Sequence, residues 1–260
     1  MKNVLLTAVV LIAAVAARAE DGAQREFPAD GIKKIRVSAE SGPIEVRAGA
    51  KIEVVVVDNK KPELCRLTME VSDGALTLKA ESAQRWFVLG DGCGAGFRVS
   101  APAGLPLDAK AGSGRIHVAG RAGTVRLSAG SGGIVLDGVS GEAELAAGSG
   151  KISGTLSGRL SAKSGSGGLA LGGLASGAEV KSGSGGVRLA WSKAPAANVD
   201  VKSGSGDVLL IFPAGTKLHA GQIAGSGTTV NTLGETAGAA LRVSVMTGSG
   251  DSTIKAATPN

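Results

Sequence analysis

A Gly-Ser-Gly triplet recurs eight times in the second part of this chain. Successive triplets start 18, 18, 17, 18, 21, 21 and 23 residues apart. A period of about 20 residues is typical of stacked repeats, in which each unit buries its apolar side against its neighbours. The repeat therefore constrains the fold more than any other feature. The triplets are Gly112–Gly114, Gly130–Gly132, Gly148–Gly150, Gly165–Gly167, Gly183–Gly185, Gly204–Gly206, Gly225–Gly227 and Gly248–Gly250.

Alternating apolar residues flank most triplets. Ile116 and Val118 follow the first triplet, and Val125 and Leu127 precede the second. A period of two indicates strands that bury one face. We therefore predict an all-β chain forming a single-stranded β-solenoid, like a parallel β-helix, with coils of about 18–21 residues and a less regular N-terminal β region. A β-propeller or sandwich is the alternative, but propeller blades hold about 40 residues.

The composition agrees with a narrow solenoid. Hydrophobic residues make up 43% of the chain, but aromatic residues only 2%, and there is no tyrosine. Aliphatic side chains fill such a core, whereas wide cores and broad recognition surfaces usually contain aromatic rings. We expect the glycines at the corners because sharp turns need positive φ, which glycine adopts freely.

The N-terminus has the pattern of a secretory signal peptide. Lys2 precedes the apolar run Val4–Ala16, and Ala17–Ala19 forms a small-residue cleavage site, so the mature chain is expected to begin at Glu20. A transmembrane anchor is the alternative, but spanning needs about 20 apolar residues. The sequence thus predicts an exported protein of the periplasm, the extracellular space or the cell surface.

The chain divides by pattern into four segments. Residues 1–19 are the predicted signal peptide, and residues 20–105 form an N-terminal β region and cap. The repeats occupy residues 106–254, and residues 255–260 form a tail.

Cys65 and Cys93 are the two cysteines of the chain. An even count in an oxidising compartment favours a disulfide, and two unpaired buried thiols are the alternative. The bond would staple the least repetitive loop, which carries Trp86 and Phe87. This loop is a candidate for specific contacts.

The charge is mildly basic. Lysine and arginine number 28 against 22 acidic residues, a net charge of +6, which falls to +4 once Lys2 and Arg18 are removed. Nucleic-acid binding is not expected, because clustered cations and stacking aromatics are missing. A basic face toward anionic polymers is one hypothesis, and ordinary solubility charge is the other. The candidate interaction residues are Trp86, Phe87, Arg115, His117, Arg126, Lys151, Lys163, Lys181, Arg188 and Lys202.

Catalytic patterns are weak throughout. No serine has the G-x-S-x-G setting of a nucleophile elbow, and neither cysteine has a further metal ligand at suitable spacing. Glu142 and Glu144 are neighbouring outward residues on one strand, and Glu179 lies at a similar place two coils on. A glycan-cleaving pair of carboxylates on a β-helix scaffold is therefore one hypothesis, and a solvated face with ordinary charges is the other. We predict no enzyme activity, no metal and no cofactor.

Several segments together resemble the bacterial putative-adhesin family of β-solenoid envelope proteins, largely labelled a domain of unknown function. They are Val37–Val46, Ala101–Leu107, Ser203–Val208 and Thr247–Asp251. The resemblance implies an extracytoplasmic β-solenoid with a role in adhesion or envelope stress, and it carries no catalytic residues. This chain departs from many solenoid members in its cysteine pair.

The function expected from these observations is that of an exported, non-enzymatic, structural or adhesin-like interaction protein of the bacterial cell envelope. Its expected partners are a cell-wall or surface glycan, a membrane surface or another envelope protein. A glycan-active enzyme, or an envelope-stress or redox sensor that uses Cys65 and Cys93, is the alternative.

Overall fold

The structure is a computed structural model that describes residues 20–83 and 92–258. The predicted signal peptide, Trp86 and Phe87 lie outside these residues. Two sheets face each other across a narrow aliphatic core. The β-solenoid predicted from the repeat is confirmed, because the coils stack through parallel pairing of equivalent strands.

The strands of the N-terminal part surround one short 3-10 helix, Pro62–Leu64. They are β1 (Gln24–Phe27), β2 (Lys34–Ala39), β3 (Ile44–Ala48), β4 (Ile52–Val57), β5 (Cys65–Ser72), β6 (Ala75–Ser82) and β7 (Gly96–Ala101).

The repeats contribute pairs of strands, one on each side of a triplet. They are β8 (Leu107–Ala111), β9 (Ile116–Ala119), β10 (Val125–Ala129), β11 (Ile134–Val139), β12 (Ala143–Ala147), β13 (Ile152–Leu156), β14 (Leu160–Ser164), β15 (Leu169–Leu174), β16 (Ala178–Ser182), β17 (Val187–Trp191), β18 (Val199–Ser203), β19 (Val208–Phe212), β20 (His219–Ala224), β21 (Thr229–Asn231), β22 (Arg242–Thr247) and β23 (Ser252–Ala256).

Each coil crosses from one sheet to the other at its triplet. Sheet B holds the strand before the triplet, and sheet A holds the strand after it. The pairing is in register, so that Ile116, Ile134 and Ile152 form one fully buried column. Apolar residues at alternate positions therefore build one continuous core along the stack.

The spatial order of the coils departs from chain order at both ends. The coil β2–β3 lies between β6–β7 and β8–β9, and β22–β23 lies between β18–β19 and β20–β21. At the N-terminal end, β1 and β4 are antiparallel to their neighbours, and β5 forms an antiparallel hairpin with β6. The wider triplet spacing near the C-terminus thus accompanies a reordering of the coils.

The glycines of the triplets do not have positive φ, so the reason expected from the sequence is wrong for them. Their actual constraint is the distance between coils. A Cβ on Gly132 would lie 1.9 Å from the carbonyl oxygen of Gly114, which no side chain tolerates. A positive φ, the reason expected from the sequence, is found at Gly120, directly after β9, and at Gly138, near the end of β11, with φ of +63° and +61°.

Arg121 is fully buried, and its guanidinium donates to the carbonyl oxygens of Ala101, Pro102 and Leu105. It occupies a corner position of the core that Val139 fills in the next coil. Ala101 is the last residue of β7, and Pro102 and Leu105 lie in the connection from β7 to β8, which passes over the coil β2–β3. Arg121 therefore fastens the crossover at this end of the stack, and burial lowers its pKa.

A disulfide joins Cys65 and Cys93, as the even count predicted. Both residues are buried. Next to it, the Glu40 carboxylate accepts hydrogen bonds from the backbone amide and the hydroxyl of Ser82, and the Ser82 hydroxyl oxygen accepts one from the Cys93 amide. The bridge is thereby tied to the coil β2–β3, to which Glu40 is attached.

The C-terminal end has a polar cap. Gln222 occupies the inward position that Val245 has in the neighbouring coil, and its amide donates to Ser252 and to the Val230 carbonyl. The connection after β21 returns over the end, and both carboxylate oxygens of Glu235 accept from the Ala220 amide, at 3.2 and 3.0 Å. The side-chain amide of Gln222 is thus hydrogen-bonded both within its own coil and to the neighbouring coil β22–β23.

Candidate interaction surface

A column of lysines runs along the outer face of sheet B. Because equivalent strands pair in register, the residue two positions before each triplet stacks on its counterpart in the next coil. Lys163, Lys181 and Lys202 are direct neighbours in this way, about one strand spacing of 4.8 Å apart, and all are exposed. We call the following stacked residues the lysine column, given in spatial order: Lys79, Ser38, Lys110, Ser128, Ala146, Lys163, Lys181 and Lys202.

A second column lies two residues earlier on the same strands and carries most of the acids of this face. Lys181 Nζ lies 3.0 Å from Glu179 Oε1 on its own strand, and Arg126 Nε lies 2.9 Å from Glu144 Oε2 on the neighbouring strand. Among the described residues Lys163 and Lys202 form no ion pair of this kind. Along each strand, the lysine column lies between the column of acids and the Gly-Ser-Gly triplet.

The Gly-Ser-Gly edge borders the lysine column. Each triplet exposes its serine, because the flanking glycines leave no side chain beside it. Stacked amide-to-carbonyl hydrogen bonds, such as Ser131 to Gly112 and Ser149 to Gly130, keep successive serines in register. Ser41 extends the row from the coil β2–β3, so the described edge presents nine exposed hydroxyls. A hydroxyl both donates and accepts hydrogen bonds.

Two shallow depressions lie along the lysine column, at the places where a small residue replaces a lysine. One, of about 330 Å³, lies over Ser128 and Ala146 between Lys110, Arg126 and Lys163. The other, of about 280 Å³, lies over Ser38 between Arg36, Lys79 and Lys110. Asp108 also lines both depressions and Glu144 lines the first, so that cations outnumber acids in each.

The interaction residues predicted from the sequence do not share one face. Arg126, Lys163, Lys181 and Lys202 point outward from sheet B. The others are distributed elsewhere: Arg115 and Lys151 directly follow triplets on the Gly-Ser-Gly edge, and His117 and Arg188 point outward from sheet A.

The sequence-based selection missed Lys79 and Lys110, which belong to the lysine column. A signal for Lys110 was present, because Lys110, Lys163, Lys181 and Lys202 all stand in the pattern K-x-G-S-G. Lys79 has no triplet after it and joins the column only through its pairing with Ser38. That pairing depends on the reordered coils, which the repeat does not reveal.

Two of the carboxylates considered for glycan cleavage are paired with cations. The hydrogen bond and the charge of Lys181 lower the pKa of Glu179, and Arg126 stabilises the Glu144 carboxylate by an ion pair. A glycosidase needs one carboxyl group with a raised pKa as its general acid. The pKa of Glu179 is shifted in the opposite direction.

Within residues 20–83 and 92–258, no group of three or more His, Cys, Asp or Glu residues is placed to hold a metal ion. The same part of the chain contains no helix long and apolar enough to cross a membrane.

Fold and surface together define a class: a two-sheet parallel β-solenoid that presents stacked, repeating side chains on flat faces. The family described as Toastrack DUF4097 matches residues 32–260. The chain therefore belongs to the Toastrack DUF4097 family, a domain of unknown function, in accord with the resemblance noted from its sequence. No curated protein matches the chain.

Three solved structures are similar to it. A putative adhesin from Bacteroides fragilis has 14% identity and a TM-score of 0.53, covering 92% of this chain and 99% of its own. It shares the fold. A putative cell adhesion protein from Clostridium sporogenes has 13% identity, a TM-score of 0.28 and coverage of 91% and 99%. A putative lipid binding protein from Parabacteroides distasonis has 13% identity, a TM-score of 0.37 and coverage of 92% and 97%.

Proposed function

We propose that this protein is an exported, non-enzymatic, adhesin-like interaction protein of the bacterial cell envelope. The observation that carries the proposal is the lysine column beside the Gly-Ser-Gly edge, a rigid and repetitive charged surface with shallow depressions in place of a deep cleft. Binding of an extended partner needs such a surface, whereas the chemistry of a small substrate usually needs an enclosed pocket.

Export is supported by two independent features. The segment from Lys2 to Ala19 has the order of a secretory signal, and the Cys65–Cys93 disulfide is typical of an oxidising compartment. The similar protein from Bacteroides fragilis is a putative adhesin, which agrees with a role at the envelope.

A redox-sensing role receives less support. A sensor needs a bridge that reductants reach, and Cys93 is completely buried while Cys65 is 8% exposed. The disulfide is therefore assigned a structural role, fastening the end of the stack at which β5 and β6 pair.

The test begins with the full chain expressed in a bacterial host. N-terminal sequencing of the protein recovered outside the cytoplasm is expected to start at Glu20, and binding to isolated cell-wall and envelope polysaccharides is expected to be saturable and to weaken with salt. Retention in the cytoplasm with an intact leader, or absence of binding at low salt, would overturn the proposal. Release of soluble sugar fragments from the same material would instead favour an enzyme.

A further inference from the structure

We infer that the lysine column, together with the adjoining Gly-Ser-Gly edge, binds a linear acidic polysaccharide that carries one carboxylate on each sugar ring. The polymer lies parallel to the stack axis, so that successive carboxylates meet successive coils. This inference rests on the proposed function, since it names the partner of the surface described above.

The spacing of the cations is the first argument. In-register parallel pairing fixes Lys163, Lys181 and Lys202 at one strand spacing, about 4.8 Å. A polymer with a carboxylate on every ring presents closely spaced charges to these three consecutive lysines, whereas a polymer charged on every second ring presents half as many.

The cost of the arrangement is the second argument. Like charges directly opposite on neighbouring strands destabilise a sheet. Three consecutive lysines place two such pairs side by side, and Glu179, paired with Lys181, offsets this repulsion only in part. Departures from locally favourable choices are expected at functional sites. A polyanion laid along the column removes the repulsion, so that binding and stability are coupled.

The edge beside the column is the third argument. Exposed serine hydroxyls such as Ser166 and Ser184 offer hydrogen bonds to sugar hydroxyls, and the glycines around them leave the approach open. Acids on this edge are already engaged: Asp207 accepts from the Asp251 amide, and Asp251 accepts from Thr228. Glu40 is likewise engaged by Ser82.

Other polyanions fit less well. A membrane surface is usually approached with apolar or aromatic residues interleaved among the cations. The large exposed apolar residues of sheet B, Met246 and Ile223, adjoin only the C-terminal end of the column, where Met246 pairs with Lys202, and the vesicle probe below tests this end. Single-stranded nucleic acid is bound with stacking aromatic rings, and the described part of the column has none.

The test compares matched variants of the exported protein. Lys163→Gln, Lys181→Gln and Lys202→Gln are combined in one variant. The control combines Lys33→Gln, Lys193→Gln and Lys217→Gln, which removes the same charge from exposed positions outside the column. The probes are polygalacturonate (one carboxylate on each ring), hyaluronan (one on every second ring), neutral dextran and phosphatidylglycerol vesicles.

Wild-type protein is expected to bind polygalacturonate, to bind hyaluronan more weakly and to ignore dextran. The column variant is expected to bind polygalacturonate about tenfold more weakly or worse, and the control within about twofold of wild type, with a shallower salt dependence only for the column variant. Equal losses in both variants, equal affinity for the two acidic polymers, or binding to vesicles alone would overturn the inference.

The failure of this inference is distinguishable from failure of the proposed function. If wild type and column variant bind isolated envelope material equally, the adhesin-like role stands and the lysine column is not its binding surface. If wild type binds no envelope material at all, the proposed function itself fails.

Discussion

A Cβ atom on Gly114 would lie 1.8 Å from the carbonyl oxygen of Gly42 in the adjoining coil. The same relation recurs along the edge, for example between Gly150 and Gly132. The backbones of successive triplets are therefore in direct contact, and the glycines are required for stacking and not for turning. The spacing between triplets therefore corresponds to one coil, and each of these glycines packs on the backbone of the adjoining coil.

Replacing Gly150 by alanine tests this explanation. The added methyl group would lie 1.8 Å from the Gly132 carbonyl oxygen, so the stack must open locally. We expect the free energy of unfolding to fall by about 1–3 kcal/mol or more, the usual cost of overpacking, measured by urea denaturation. Gly172→Ala is the control, because Gly172 lies in β15 with nothing within 4 Å of its added Cβ. Similar losses in the two variants would refute the packing explanation.

Arg121→Met is expected to destabilise the fold although methionine suits an apolar core. The change removes the guanidinium donor from the carbonyls of Ala101, Pro102 and Leu105. The first two keep the amides of Gly49 and Leu105 as donors, so the loss falls mainly on the Leu105 carbonyl, and an unpaired buried group costs about 1–3 kcal/mol. Thermal unfolding measures the effect, with the exposed Arg159→Met as control. If Arg121→Met were as stable as wild type, the free-energy cost of burying the guanidinium would equal the stabilisation from its hydrogen bonds.

Reduction of the Cys65–Cys93 bond is expected to lower the free energy of unfolding. The bond closes a loop with a sequence separation of 28, for which the chain-entropy relation gives about 3–4 kcal/mol. Urea unfolding with and without reductant measures the loss. A Cys65→Ala/Cys93→Ala variant is the control and should not respond to reductant. Unchanged stability on full reduction would contradict the structural role of the bridge.

Asp251→Ala is expected to lower the melting temperature near neutral pH. Hydrogen bonds from the Thr228 amide and hydroxyl lower the pKa of the Asp251 carboxyl below its ordinary value of 3.8. A group with a lowered folded-state pKa stabilises the protein above its unfolded pKa and loses this contribution as the pH falls through the folded pKa. The difference between wild type and Asp251→Ala should therefore shrink at acid pH below 3.8. Thr228→Val removes one of these donors and should weaken the pH dependence, and a constant difference would argue against the hydrogen bonds as its cause.

Glu235→Ala is expected to promote end-to-end association. β20 is the edge strand of sheet B, and Glu235 covers the Ala220 amide on it. Unpaired groups on an edge strand invite pairing with another chain. Sedimentation velocity should detect concentration-dependent dimers in this variant and not in Glu144→Ala, which loses an ion pair in the middle of the sheet. A monomeric Glu235→Ala protein would mean that the other end contacts suffice to protect the edge.

The repeat was sufficient to predict the strands, their parallel pairing and their inward residues, because period-two alternation beside a fixed triplet leaves few arrangements. Ile116, Ile134 and Ile152 are buried as the pattern requires. The disulfide followed from a count of two cysteines, Cys65 and Cys93. These features depend on local sequence, which a single chain displays directly.

The order of the coils could not be predicted, since every strand of the same pattern is an equally good neighbour for any other. Arg121 was missed for a related reason. An arginine among polar corner residues normally lies in solvent, and only the crossover from β7 to β8 places carbonyls around it. The lysine column was recognised in part, because the repeat reveals which residues stack but not which faces the partner uses.

The insertion of β22–β23 between β18–β19 and β20–β21 has a consequence for biosynthesis. Synthesis proceeds from the N-terminus, so β20–β21 is made before β22–β23. The coil β20–β21 therefore cannot yet pair with its neighbour in the stack. Completion must therefore wait for the last strands, Arg242–Thr247 and Ser252–Ala256. While the ribosome still holds these residues, the solenoid stays unfinished, and the coil β20–β21 lacks the neighbour on which it packs.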